Sequence, residues 1–212
     1  MDSTKTSWSA MDGVVRPFVT GECQTTWVRT LSNKEDSELV TLAVTKPDEG
    51  RYFLALYCRH RDLAQSLLKY GPVTMPLELV GLQATLWSQV YKELDQFDNR
   101  KERFISWLVT RIARTLVKVP NELPPYLRSG EVPIPLVPFL RAALDELPQP
   151  KRLLIVLCDV LEVPAAEALQ TLSREGYILT SEDILEQLKQ ARRQVLEALP
   201  QDIYSIYFEV TP

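Results

Sequence analysis

Six prolines stand between Val119 and Phe139: Pro120, Pro124, Pro125, Pro133, Pro135 and Pro138. Proline fixes its own φ and offers no amide donor, so such a run forms neither a helix interior nor a central strand. It reads as an extended linker. On both sides of it, apolar residues recur at helical spacing. The chain therefore reads as all-α, with two helical modules joined by this proline-rich linker. The expected divisions are an N-terminal arm over 1–34, a first helical domain over 35–119, the linker over 120–138, a second helical domain over 139–200 and an aromatic tail over 201–212.

Within the first domain, "DSELVTLAVTK" is a short helix stopped at Pro47 and Gly50. "RYFLALYCRHRDLAQSLLKY" follows, with Phe53, Leu56, Tyr57, Leu63, Leu67 and Leu68 inward. "LELVGLQATLWSQVYKELDQF" is a longer helix, Asp98 and Asn99 make a turn, and Arg103 to Lys118 is helical again. Beyond the linker, four more segments have helical spacing, and Pro148 and Pro164 fall near helix starts where a missing donor costs little. Thr180 or Ser181 can cap the last of them. The tail "DIYSIYFEV" is β-prone and aromatic, a strand or a docking peptide.

No apolar run approaches the ~20 residues that span a bilayer, so no membrane insertion is expected. The opening "MDSTKTSWSA" lacks a basic region followed by an apolar stretch, which argues against a secretory signal. Cys23, Cys58 and Cys158 are scattered and odd in number, and read as reduced thiols of a cytoplasmic protein. The formal net charge of -4 disfavours generic nucleic-acid binding. The charge is segregated, however. Arg51 to Lys118 holds eleven basic residues against six acidic ones, and Asp145 to Pro200 holds ten acidic against six basic.

Enzymatic signals are few. His60 is the only histidine, which argues against a histidine-based metal site or a Ser-His-Asp triad. No phosphate-cradling glycine motif occurs. No catalytic residue, metal or cofactor is assigned, and the chain is read as a non-enzyme.

Two constellations remain. In "RFISWLVTRIARTLVK", Phe104, Leu108, Ile112 and Leu116 form an apolar stripe, while Trp107, Arg111, Arg114 and Lys118 fall at i, i+4, i+7 and i+11. Cations track phosphates and an aromatic ring stacks on an unpaired base, a combination that suits a single strand or a melting duplex. The same spacing also fits a tryptophan half-buried between helices beside a solvated cationic face. The second constellation is "AAEALQTLSREGYILTSEDILEQLKQARR", a helix, a glycine-containing turn and a helix, in the manner of a helix-turn-helix.

In their order, these segments resemble the sigma-70 family of bacterial RNA polymerase sigma factors, in the short two-domain, extracytoplasmic-function-like form. "LALYCRHRDLAQSLL", "LWSQVYKELDQFD" and "RFISWLVTRIARTLV" are similar to successive helices of the family's region 2. "ALDELPQPKRLLIVLCDVLEVPAAEAL" and "QLKQARRQVLEAL" are similar to the opening of region 4 and the end of its recognition helix. The resemblance spans roughly Leu39 to Leu199 without the linker. Glu182, Asp183 and Glu186 stand where the family carries small or basic residues.

The resemblance implies a transcription initiation factor whose partners are core RNA polymerase and promoter DNA, with an anti-sigma or other regulatory protein as a further partner. Gln83, Gln89 and Lys92 would face the polymerase. The loop Asp95 to Arg103, with Arg100, Lys101 and Arg103, would sit where the family captures an unstacked base. Trp107, Arg111, Arg114 and Lys118 would lie beside the melted strand. Thr180, Ser181, Lys189, Arg192 and Arg193 would approach the distal element in the major groove. The other reading is a non-enzymatic adaptor or regulator on a sigma-derived scaffold, binding polymerase or another protein without reading that element.

Overall fold

The computed structural model describes residues 21–69, 76–117, 132–160, 163–174, 176–177 and 181–208, with the side chains of 76–78, 117, 160 and 181–183 also outside the description. Among the described residues every element is helical. The chain divides into two compact units, Val19–Phe139 together with Pro200–Pro212, and Leu140–Leu199.

The N-terminal unit is built on α3 (Arg51–Lys69), where Tyr52 through Tyr57 are all buried. Six consecutive buried residues leave that half of the helix no solvent face, so neighbours cover it all round. They include α1 (Thr26–Arg29), α2 (Asp36–Thr45), α4 (Pro76–Lys92) and α5 (Phe104–Val117). Aromatic rings fill the centre edge to face: Phe53 lies 4.9 Å from Tyr91 and 5.7 Å from Phe139, and Tyr57 lies 5.0 Å from Trp87. Such pairs add directional contacts to the hydrophobic burial.

Three expectations about this unit are corrected. Within the expected arm, residues 21–34 are ordered: they form a 3₁₀ turn at Glu22–Gln24 and then α1, and Cys23 is disulfide-bonded to Cys58 of α3. These two cysteines are therefore not reduced thiols, and Cys158 alone is free. Most of the proline-rich segment lies outside the described residues, but 132–138 is not an extended spacer. Ile134–Leu136 is a 3₁₀ turn, Leu136 is fully buried, and Val137 packs against Ala84 of α4. Apolar burial binds this stretch to the unit it leaves.

The third correction concerns the tail. Gln201–Tyr207 is a helix, α10, and belongs to the N-terminal unit. The buried Asp202 carboxylate accepts the backbone N–H groups of Gly50 (3.0 Å) and Arg51 (2.8 Å), and so caps α3 from the far end of the chain. A β-carbon on Gly50 would come within 2.3 Å of Ile203 and 2.8 Å of Phe139, so this close approach requires glycine. Burial of Ile203, Ile206 and Tyr207 overrides the β preference of the sequence.

In the Leu140–Leu199 unit, α7 (Gln149–Ile155), α8 (Ala165–Arg174) and α9 (Ser181–Glu197) pack together, following the turns of α6 (Val137–Glu146) that lie beyond Phe139. Leu154, Ile155, Ala168, Leu172, Ile184, Ala191 and Val195 form its core. Helix α7 runs into a π-helical segment, Val156–Val160, which carries Cys158 and Asp159. Gly176 closes α8 at φ +88°, the left-handed position that a helix C-terminus favours. Helices α8 and α9 follow one another with Gly176 and Tyr177 between them, and 175 and 178–180 lie outside the described residues.

Candidate functional site

Helix α5 settles how its tryptophan and cations are arranged. Phe104, Trp107, Leu108, Arg111, Ile112 and Thr115 are all buried, whereas Ile105, Val109 and Arg114 are exposed. Trp107 retains only 2% of its surface. On a helix, residues 104, 107, 108 and 111 lie within one broad stripe, so the two faces read from the sequence merge into a single inward face. Trp107 meets the rings of Phe97 and Phe104 at 5.9 and 5.7 Å. The Arg111 guanidinium lies 4.2 Å from the Trp107 ring centre and pairs with Glu93 at 2.9 Å. Neither Trp107 nor Arg111 offers its side chain to a strand lying over this helix, which corrects their assignment as nucleic-acid contacts. Arg114 remains exposed on α5, and Lys118 lies outside the described residues.

Glu93 is held as an anion. A hydrogen bond from Gln89 and the neighbouring Arg111 outweigh its partial burial and keep its carboxyl below the ordinary range. Gln89 is thereby engaged within its own helix surface. Gln83 is buried and so is not an available polymerase contact, while Lys92 is exposed.

At the N-terminal end of α5 the structure opens a cleft of about 600 Å³. One wall is the loop before α5, with Phe97, Asn99, Glu102 and Arg103. The other comes from the start of α2 and the middle of α3, with Glu35, Asp36, Arg59 and His60. His60 is 2.9 Å from Asp36, Arg59 pairs with the same carboxylate, and Arg59 also donates to the Ser32 carbonyl at 3.3 Å. Burial opposes charge on Asp36, but the hydrogen bonds from His60 and Arg59 prevail and hold its carboxyl low. Phe104 stacks at a tilt beside His60, 5.3 Å between centres.

The turn that shapes the loop follows from its sequence. Asp98 accepts the backbone N–H of Arg100 at 3.0 Å and pairs with Lys101 at 3.2 Å, an Asx-type turn that keeps both cations at the surface. Arg100, Lys101 and Arg103 are all exposed. The cleft thus combines an aromatic edge, donors (Arg103, Asn99) and acceptors (Glu35, Glu102). Its lining acids and bases are mixed, which suits a planar, uncharged ligand with a hydrogen-bonding edge better than a free anion. The Asp36–Arg59–His60 cluster had no sequence signal, because its members lie on two helices more than twenty residues apart.

In the second unit, Arg192 forks onto Asp159 of the π-helical segment, its Nε 2.9 Å from Oδ2. That carboxylate raises the Arg192 pKa and engages its guanidinium, so Arg192 is not a spare cation for DNA. Lys189 and Arg193 are exposed on α9, together with Glu186 and with Leu185, 63% exposed. Thr180 and the Ser181 side chain lie outside the described residues. Among the described residues, no three histidine, cysteine or acidic side chains gather as metal ligands, and no helix is long and apolar enough to cross a membrane.

Compared with protein-family models, curated proteins and solved structures, the chain gives no match.

Proposed function

We propose that this chain is a sigma-like transcription initiation factor that binds core RNA polymerase and promoter DNA. The cleft lined by Asn99, Glu102 and Arg103, in the loop that also carries Arg100 and Lys101, carries this reading. It lies beside the loop that the resemblance to sigma-70 proteins assigns to base capture, and its lining suits an unstacked base while the loop cations suit the flanking phosphates. The cleft takes the role that the resemblance implied for Trp107 and Arg111. On α4, Lys92 is the contact offered to polymerase. On α9, Lys189 and Arg193 are the cations offered to a duplex.

The adaptor reading draws on a separate observation. With Arg192 engaged by Asp159, the outward side of α9 presents Leu185 and Glu186 beside Lys189 and Arg193, a mixed surface fit for a protein partner.

The test is reconstitution with purified core bacterial RNA polymerase, followed by crosslinking to promoter DNA. The initiation-factor reading expects a complex, a crosslink mapping to the loop 97–105, and its loss in Arg103→Ala with Lys101→Ala. A complex that crosslinks no DNA favours the adaptor. Absence of a complex overturns both.

A further inference from the structure

We propose that Cys23 and Cys58 form a thiol–disulfide exchange site that fastens residues 21–34 to α3, and releases them when a small-molecule thiol reduces the bond. The reading is independent of any DNA or polymerase partner.

Three observations carry it. First, the two half-cystine residues are both partly exposed, and thiol–disulfide exchange depends on such access. Second, Arg61 lies 3.3 Å from Cys23 Sγ through its Nη1. A neighbouring guanidinium stabilises a thiolate, and so makes Cys23 the better leaving sulfur, although Asp62, 3.6 Å from Arg61, and the adjacent Glu22 temper this. Third, the fastened segment has little else to hold it. Of residues 21–30 only Val28 is buried, Leu31 follows, and Trp27 stays 44% exposed near Arg51. A segment with so few buried groups opens locally at small cost once its crosslink is gone.

The exchange balances without any other reactant. A thiolate RS⁻ attacks Cys58 Sγ, the bond to Cys23 breaks, and Cys23 leaves as thiolate. A second RS⁻ attacks the mixed disulfide, giving RSSR and the Cys58 thiolate. The oxidised small-molecule disulfide reverses both steps. Arg59 follows Cys58 directly and holds the Ser32 carbonyl, so release of the segment also withdraws a support from the cleft wall. Cys158 is a contrast: burial and the neighbouring Asp159 push its thiol pKa up, which makes it a poor nucleophile.

The full-length chain would be equilibrated across mixtures of reduced and oxidised glutathione, quenched in acid, and read by alkylation and peptide mass. The bond should form in the oxidised mixtures and open in the reduced ones. Amide exchange over 21–34 should rise about tenfold on opening, while α4 and α5 are unchanged. Cys23→Ser should trap glutathione on Cys58, and Arg61→Gln should slow opening about tenfold. Failure of the bond to form overturns the proposal, as does a bond that resists reduced glutathione and yields only to a strong dithiol. Opening without faster exchange over 21–34 also overturns it. Should the serine variant not fold, the wild-type titration and its exchange profile decide alone.

Discussion

Helices α5 and α9 each carry an arginine held by a carboxylate from elsewhere in its own unit, and they bury opposite members of the pair. In α5 the cation is the deeper: the Arg111 side chain is 9% exposed and Glu93 22%. In α9 the anion is the deeper: Asp159 is 4% exposed and Arg192 18%. The difference follows from what surrounds each pair. On α5 the ring of Trp107, one turn before Arg111, receives the guanidinium. Beside α9 the widened π-helical turn brings a short carboxylate inward. A cation on a helix is thus no guide to a nucleic-acid surface until the depth of its partner is known.

The largest test is Arg192→Met, which strands the buried Asp159. It should lower the stability of the Leu140–Leu199 unit by roughly 3 kcal/mol, followed by circular dichroism in urea. Asp159→Asn leaves the more accessible Arg192 to hydrate and should cost about 1 kcal/mol. Equal losses would break the comparison.

Next is the α5 pair in reverse. Glu93→Gln leaves Arg111 enclosed and should cost about 2 kcal/mol, because the Trp107 face still offsets part of the charge. Arg111→Met should cost about 1 kcal/mol, since Glu93 reaches water and keeps Gln89. Tryptophan fluorescence follows this transition through Trp87 and Trp107, both buried in the N-terminal unit.

Acid sharpens the same point. Glu93 and Asp36 both have carboxyl pKa values held below their ordinary 4.5 and 3.8. The stability they lend is present above those ordinary values and is lost as pH falls through the lowered ones. Glu93→Gln should therefore flatten the acid limb of N-terminal-unit stability, measured by urea midpoints from neutral pH downward.

The smallest effects on stability belong to the exposed cations. Arg103→Ala and Arg193→Ala should each stay within about 0.5 kcal/mol of the parent in the urea titration. In the polymerase complex, Arg103→Ala should weaken single-strand binding about fivefold while Arg193→Ala leaves it unchanged. Equal losses would remove the distinction between the cleft and α9.

Most helices were legible from the chain alone. The spacing of Leu and Val residues marks α2 and α6 to α9, and Asp98 with Asn99 marks the turn before α5. The charged loop 95–103 was also legible, because its cations are local and exposed. The cleft was not, since Asp36, Arg59 and His60 meet only when α2 packs on α3. The depth of Trp107 was only partly legible: half-burial between helices was one reading of the spacing, but its partner Phe97 comes from the segment before the helix.

By itself the sequence determined where the longer helices lie, because apolar period, proline and capping residues act over a few positions. Only the tertiary structure decided which polar groups are enclosed, which cysteines join, and that the last helix caps the third. Those outcomes depend on contacts between residues distant in the chain, such as Asp202 with Gly50 and Cys23 with Cys58, and no local pattern encodes the partner across such a gap.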